Sequence, residues 1–322
     1  MLPTLLQLFV AAVLFLLGVA LVIYSVETFV ESVAEAALGL GVSTFFLTVL
    51  LAGIDLENAI LGLAAVAGDL PGVAIGTVFG EALFILGAAV GLAGLVVPFE
   101  IRVPRVYQLL TLVSPVPMLL LSVDGTLTRL DGAVLLLLFV PFVAIIYWLE
   151  TRTEVRFLAA EAVEEAVEDE DEPEREGIAA IAVPLLAVAG MTLGSELAVR
   201  GVRDLLVSFG ISGLAFGATV MSFIASLEEL LLTVEPVRQG RPHLGIGNVV
   251  GSTAFFVTAN AGVIALVQPI DTSGSVLTVH WPFLLVMLVA VVALFARGKV
   301  DRPAGALLMF GYVGYWVGNY LV

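Results

Sequence analysis

The 322-residue sequence contains no cysteine, a single lysine (Lys299) and only two histidines, and charged residues make up just 13% of it. Without cysteine, the chain cannot be a disulfide-stapled secreted domain. A soluble domain normally has about a quarter charged residues, so this chain is not mostly in contact with water. The sequence contains no Ser/His/Asp set, hydrolase metal spacing or phosphate-binding loop, and it therefore predicts no enzyme activity.

The charged residues that are present are mostly negative. Asp and Glu total 29 against 13 Lys and Arg, which gives a net charge of −16. A nucleic-acid partner and an anionic-lipid footprint are therefore not expected. With His243 and His280 as the only histidines and no cysteine, a soft transition-metal site and a bound cofactor are not expected either. An acidic composition so poor in lysine is typical of proteins from a salty cytoplasm, a halophile-like feature.

Apolar residues dominate the sequence. They make up 60% of the chain, whose mean hydropathy is +1.12, and a membrane span needs only about 20 consecutive apolar residues. The sequence therefore predicts an all-α polytopic membrane protein with ten transmembrane helices. The apolar runs lie near residues 3–25, 36–66, 72–97, 106–122, 131–149, 178–207, 212–237, 244–268, 276–296 and 303–321.

One interval differs from the rest of the chain. Residues 150–176 carry twelve acidic side chains against three arginines, a composition typical of a solvated linker. The linker divides the chain into a first five-helix half, residues 1–149, and a second five-helix half, residues 177–322.

The distribution of basic residues predicts the orientation in the membrane. With alternating spans, Arg129, Arg200 and Arg203 fall on one side, and the other ten basic residues fall on the side of the linker. This bias predicts a multi-pass protein of the cell membrane with a cytoplasmic linker and both termini outside. Because each half has an odd number of spans, the two halves are expected to have opposite orientations.

The two halves also resemble each other in sequence. At an offset of 171, residues 48–98 align with residues 219–269, and 17 of these 51 positions are identical. The matches include glutamates, prolines and four-spaced glycines, which apolar composition alone does not produce. Two homologous halves of opposite topology are the inverted-repeat plan of secondary transporters, whose substrate site lies near the middle of the membrane.

Acidic side chains interrupt the spans where this plan expects the site. Asp55, Glu57 and Asn58 share one apolar stretch, and Glu228 and Glu229 lie in its counterpart. Glu81 lies inside the next span, opposite Ser252 in the repeat. Each ionised carboxylate at the centre of a span costs about 2.5–3.5 kcal/mol on insertion scales. No lysine or arginine lies inside these stretches to compensate. A bound cation or a titrating proton is therefore the expected partner of these carboxylates.

The pattern resembles the cation/calcium exchanger superfamily, in which each half carries a motif close to GTSxPE, followed by one close to GNxxGSNxxN. Here residues 224–229 read IASLEE and residues 247–256 read GNVVGSTAFF. In the first half, residues 53–58 read GIDLEN and residues 76–85 read GTVFGEALFI. The resemblance implies two inverted five-helix halves and the exchange of Ca²⁺ for Na⁺ or H⁺.

The resemblance also implies roles for residues that match the motifs. The family's ion-binding glutamates fall on Asn58 and Glu229, its first serines on Asp55 and Ser226, and its later serines on Glu81 and Ser252. The motif prolines are replaced by Glu57 and Glu228. The last ligating Asn or Asp falls on Ile85 and Phe256, whose side chains cannot bind ions. The predicted cation ligands are Asp55, Glu57, Asn58, Glu81, Ser226, Glu228, Glu229 and Ser252.

Several alternatives stay open at this point. Gly53 is a candidate helix breaker in the first half, but residues 218–235 contain neither Gly nor Pro, which argues against a break in the second. The altered ligands also allow a carrier for another cation, or a membrane sensor or scaffold that does not transport. The coupling ion, stoichiometry, direction, oligomeric state and role of the linker stay open.

Overall fold

The computed structural model describes residues 5–39, 55–152, 157 and 179–321, and these residues are almost entirely helical. The helices are α1 (Leu5–Gly39), α2 (Leu56–Ala67), α3 (Pro71–Val96), α4 (Arg105–Ser122), α5 (Arg129–Glu150), α6 (Ala179–Phe209), α7 (Gly213–Ala225), α8 (Leu227–Arg238), α9 (Pro242–Val267), α10 (Val276–Arg297) and α11 (Arg302–Leu321).

Among the described residues, seven helices are long and apolar enough to cross a membrane: α1, α3, α4, α5, α6, α9 and α10. The bent pair α7 and α8 would make an eighth span. The most apolar segment of α3 is completely buried and that of α9 is 89% buried, against 28% for α1 and α5 and 22% for α6. The fold is therefore a multi-pass helical bundle with α3 and α9 at its centre and apolar outer helices.

Small residues let α3 and α7 approach closely. A Cβ built at Gly76 of α3 would meet the carbonyl oxygen of Leu214 and would lie 2.8 Å from the nitrogen of Ala218, both on α7. A Cβ at Gly80 would likewise meet Ser222 and the carbonyl oxygen of Ala218. Glycines spaced by four residues thus bring α3 and α7 into backbone contact, as small residues do in membrane bundles.

Replacing Gly76 by alanine is expected to destabilise the bundle by about 1–3 kcal/mol, because the added methyl group overlaps backbone atoms that cannot move independently. Gly314→Ala on α11 is the matched control, since the nearest atom to its built Cβ is a Phe283 ring carbon 4.0 Å away. Both variants gain the helix preference of alanine, so their difference isolates the overlap. Thermal unfolding in detergent micelles would measure it, and equal stabilities would contradict the close packing.

Two short antiparallel ribbons join the loops at opposite ends of α4. Phe99–Glu100 (β1) pairs with Lys299–Val300 (β4), and Thr126–Leu127 (β2) pairs with Ile270–Asp271 (β3). At the offset of 171, the residues of β1 are equivalent to those of β3. The residues of β2 are equivalent to those of β4 at an offset of 173. Exchanging the halves therefore converts one ribbon into the other, which is the arrangement that an inverted repeat produces.

The structure corrects several helix boundaries. The first helix was predicted to end near residue 25, but α1 continues to Gly39, so a second helix beginning at residue 36 is wrong. Glu27 lies inside α1, and its side chain is exposed. Residues 40–54, including Gly53, lie outside the described residues. The predicted linker begins at residue 150, yet Glu150 is a buried helical residue of α5; most of residues 150–176 lie outside the described part of the chain.

Candidate ion-binding site

The site lies where the start of α2 meets the junction of α7 and α8. Asp55 immediately precedes α2 and Ser226 immediately precedes α8, and these two residues are equivalent at the offset of 171. Asn58 is the third residue of α2, and Glu229 is the third residue of α8. Asn58 Nδ2 donates a hydrogen bond to Glu229 Oε1 at 3.0 Å. Asn58 and Glu229 are again equivalent positions. The two halves therefore contact each other through matching residues at the expected acidic sites.

The sequence argued against a break in the second half, and that expectation is wrong. The axes of α7 and α8 differ by 49° across Ser226, although residues 218–235 contain neither Gly nor Pro. A π-helical turn at Gly217–Met221 precedes the bend, and the hydroxyls of Thr219 and Ser222 donate to the carbonyl oxygens of Ala215 and Thr219. Hydroxyl bonds back to the preceding turn are a known cause of helix bending.

The break explains why acidic residues are found here. The first turn of a helix has backbone N–H groups without helical partners and carries the positive end of the helix dipole. Glu57 lies in the first turn of α2, and Glu228 and Glu229 lie in the first turn of α8. Because two helices begin at the site, three carboxylates lie where negative charge is most favoured.

Three carboxylates form a compact group. Oxygens of Asp55, Glu57 and Glu229 all lie within 4.8 Å of one another. Glu229 is completely buried and Glu57 is 8% exposed. The charged neighbours that act on these groups, among the described residues, are other carboxylates, including Glu228. The arrangement concentrates negative charge at a place that water scarcely reaches.

Several oxygens at the site have no hydrogen-bond partner among the described residues. They are Asp55 Oδ2, Asn58 Oδ1, Ser226 Oγ and Glu229 Oε2, and all four atoms are buried. Buried polar atoms in proteins are nearly always bonded, so four unpartnered oxygens in one place call for a ligand. Carboxylate, amide and hydroxyl oxygens are the ligands that a hard cation such as Ca²⁺ takes.

Side chains from α3 and α9 surround this group. Glu81 of α3 is buried and accepts a hydrogen bond from Asn260 Nδ2 at 3.2 Å. Ser252 of α9 lies beside Asp55 and donates to Asn248 Oδ1 at 3.4 Å. Asn248 Nδ2 in turn contacts the Glu229 carbonyl oxygen at 3.4 Å. The amides of Asn248 and Asn260 on α9 thus contact α8 and α3, respectively.

The structure brings the eight residues proposed from sequence to one region, but they differ in burial and in their distance from the three-carboxylate group. Glu81 lies outside the three-carboxylate group but is close enough to interact with the charges of Asp55 and Glu57. Glu228 is only half-buried and lies beside Glu57. Ile85 and Phe256 are completely buried, so the positions of two family ligands provide no side-chain oxygen.

Sequence reasoning missed Asn260 and gave Asn248 no role. Asn260 is completely buried, and its Oδ1 has no hydrogen-bond partner within the described ranges. Its equivalent at the offset of 171 is Ala89, so the comparison of the halves gave no reason to select it. The available signal was an amide in residues 254–267 of α9, where the only other polar side chain is Thr258, at a π-helical turn that the sequence does not reveal.

A family model described as "Sodium/calcium exchanger protein" matches residues 10–148 and 179–321 of the chain. The chain is 29% identical to "Inner membrane protein YrbG" of Escherichia coli (strain K12) over 97% of its own length and 99% of that protein. It is 27% identical to "Putative antiporter CaxA" of Alkalimonas amylolytica, over 95% of this chain and 97% of the relative.

Two further comparisons concern exchangers. "Sodium/calcium exchanger MaX1" of Methanosarcina acetivorans is 26% identical over 134 residues, which are 41% of this chain and 38% of that one. The structure of the sodium-calcium exchanger NCX_Mj soaked with 100 mM Na⁺ and 10 mM Sr²⁺ superimposes with a TM-score of 0.57, covering 95% of this chain and 97% of that chain. At 22% identity this likeness shows the fold alone.

Proposed function

The chain belongs to the sodium/calcium exchanger protein family, and on that premise we propose that it is a secondary antiporter exchanging Ca²⁺ or a similar cation for Na⁺ or H⁺. A cation exchanger of this family is a membrane transporter and not an enzyme. The transported ions are its substrates, and no resident cofactor is part of the proposal. The names of the relatives CaxA and MaX1 support antiport and Na⁺/Ca²⁺ exchange.

One observation carries the proposal most directly. Oxygens of Asp55, Glu57 and Glu229 lie within 4.8 Å of one another, and four buried oxygens of the site have no protein partner among the described residues: one each on Asp55 and Glu229, and those of Asn58 and Ser226. The charged neighbours of these three carboxylates among the described residues are other carboxylates, so the three repel one another unless a cation or protons lie between them. A cation that binds there therefore removes a repulsion built into the protein.

Competition at a single site explains exchange in this proposal. A divalent cation, Na⁺ and protons all bind carboxylate oxygens, so they occupy the site in turn. The starts of α2 and α8 lie where two inverted five-helix repeats, residues 1–149 and 177–322, would move against each other in alternating access. Residues 150–176 would connect the repeats on the cytoplasmic side, with both termini outside. The two ranges matched by the family model, 10–148 and 179–321, support this division.

The proposed ligands differ in their expected contribution. Asp55, Glu57 and Glu229 provide the charge, while Asn58 and Ser226 add neutral oxygens directly beside them. Glu81, Glu228 and Ser252 surround this group, and we propose that they tune affinity and hold a proton or a second cation. Six to eight oxygens, the usual number for Ca²⁺, are available from these side chains.

A second candidate, a carrier for a different cation, is favoured by one observation. Ile85 and Phe256, which occupy the positions of two family ligands, are buried apolar side chains. A site with fewer neutral oxygens and more carboxylates differs in charge and coordination from the family pattern, and its selectivity is expected to differ too.

Uptake into proteoliposomes would test the proposal. Ca²⁺ uptake by the reconstituted full-length protein is expected under an imposed Na⁺ gradient or an imposed pH gradient, and the effective gradient identifies the coupling ion. Uptake should return to the level of empty liposomes in the Glu228→Gln/Glu229→Gln double variant. Unchanged flux in that variant would refute the site. The same assay with Sr²⁺, Mn²⁺ and Mg²⁺ would distinguish the second candidate, since one of these ions should then replace Ca²⁺.

A further inference from the structure

A basic cavity lies at one end of the bundle and contains none of the residues of the candidate ion-binding site. Its volume is about 580 Å³, and it lies between the loop joining α3 to α4 and the end of α10. Arg102, Arg105 and Arg297 line it, together with Gln108 and one carboxylate, Glu100. Three of the 13 basic residues of a chain with a net charge of −16 therefore share one cavity.

Two of these arginines are available to an anion. In the part of the chain that the structure describes, Arg102 and Arg105 have no ion-pair partner, whereas Arg297 contacts Asp301 at 2.8 Å. A backbone hydrogen bond from Ala304, followed by the Arg297 charge, lowers the pKa of Asp301, so this pair stays ionised. Guanidinium groups match the oxygens of a phosphate in two-pronged hydrogen bonds.

The helices below the cavity are apolar on their outer surfaces. α4 begins at Arg105 and packs against α10. On α4, Leu109 and Val113 are exposed, and on α10 Val286 and Val289 are exposed. Exposed apolar side chains of a membrane helix contact acyl chains. A phospholipid with an anionic headgroup could contact the arginines of the cavity with its phosphate and the apolar surfaces of α4 and α10 with its acyl chains. Free phosphate would contact only the arginines.

The cavity also lies at the end of the bundle from which the acidic interval leaves. Tyr107, in the first turn of α4, donates its hydroxyl to Glu150 at the end of α5. This is the side on which most basic residues of the chain are predicted to lie. The net charge argued against an anionic-lipid footprint, but an average over the chain does not reveal a local concentration of arginines.

We propose that the cavity lined by Arg102, Arg105 and Arg297 binds the phosphate headgroup of an anionic phospholipid, with acyl chains along α4 and α10. The lipid would hold together the α3–α4 loop and the end of α10. The site does not depend on the identity of the transported ion, so its failure and that of the exchange proposal are separable.

Thermal unfolding of the full-length protein in neutral detergent micelles would test the proposal. Adding phosphatidylglycerol is expected to raise the unfolding temperature of the wild type by several degrees with saturation, because a ligand of the folded state stabilises it. The Arg102→Gln/Arg105→Gln variant should show no such shift. Arg238→Gln/Arg241→Gln, which removes two exposed arginines outside the cavity, should keep the full shift.

The other additions decide between sources of the phosphate. Phosphatidylcholine and inorganic phosphate should each produce little or no shift in the wild type. If inorganic phosphate raises the unfolding temperature as much as phosphatidylglycerol does, the ligand is not a lipid. If phosphatidylglycerol raises the unfolding temperature of both arginine variants equally, it does not bind in the cavity. If the glutamine variant does not fold, native mass spectrometry of the wild type, incubated with equal amounts of the two lipids, replaces it. Selective retention of phosphatidylglycerol is expected, and equal retention contradicts the proposal.

Discussion

Replacing Glu229 by glutamine is expected to abolish cation exchange while the bundle stays folded. Glutamine has nearly the same volume and can still bond to Asn58, so the contact between the two halves is retained. It removes one of three crowded negative charges and the unpartnered oxygen Oε2 as a charged ligand. Loss of a partner that only orients a metal ligand already costs about 10–100-fold. Loss of the ligand itself should reduce exchange by about 100-fold or more.

Two measurements distinguish this result from simple misfolding. Without divalent cations, Glu229→Gln should unfold at the same temperature as the wild type or higher, because a buried repulsion has been relieved. Adding Ca²⁺ should stabilise the wild type but not the variant. Glu235→Gln, on the same helix α8 but partly exposed and paired with Arg238, is the matched control and should exchange normally. Normal exchange by Glu229→Gln would contradict the central role of this carboxylate.

Much of this site could be predicted from the sequence, because ionisable side chains are rare inside membrane spans and usually functional where they occur. Carboxylates inside apolar stretches identify Glu57, Glu81 and Glu229 without any structure. The offset of 171 then matches Asn58 with Glu229, which the structure joins by a hydrogen bond. Hydropathy also located the central helices α3 and α9 to within about two residues at each end, because their length is set by the bilayer.

Other features depend on contacts that the sequence does not encode locally. The bend at Ser226 follows a π-helical turn and hydroxyl bonds to the preceding turn rather than Gly or Pro. The pair between Asn260 and Glu81 joins residues 179 apart that are not equivalent in the two halves. The length of α1 was underestimated because a glutamate inside a helix ends a hydropathy run but not the helix itself, as Glu27 shows.

The symmetric contact between the halves makes a second large effect predictable. Asn58 is completely buried, and its amide is the hydrogen-bond donor to Glu229. Asn58→Glu would replace that donor by a fourth carboxylate at the same place. Two unit charges about 4 Å apart repel by about 4 kcal/mol at an effective dielectric constant of about 20. We therefore expect the variant to be less stable than the wild type by several kcal/mol in the absence of divalent cations.

The matched control is Asn58→Gln, which has the length of glutamate but keeps the amide donor. Thermal unfolding of both variants with a chelator and then with increasing Ca²⁺ measures the effect. Only Asn58→Glu should be strongly destabilised without cation, and only Asn58→Glu should recover most of that loss as Ca²⁺ is added, because the ion neutralises the new charge. If Asn58→Gln loses as much stability as Asn58→Glu, the effect is steric. Position 58 would then not belong to a cation site shared by the two halves.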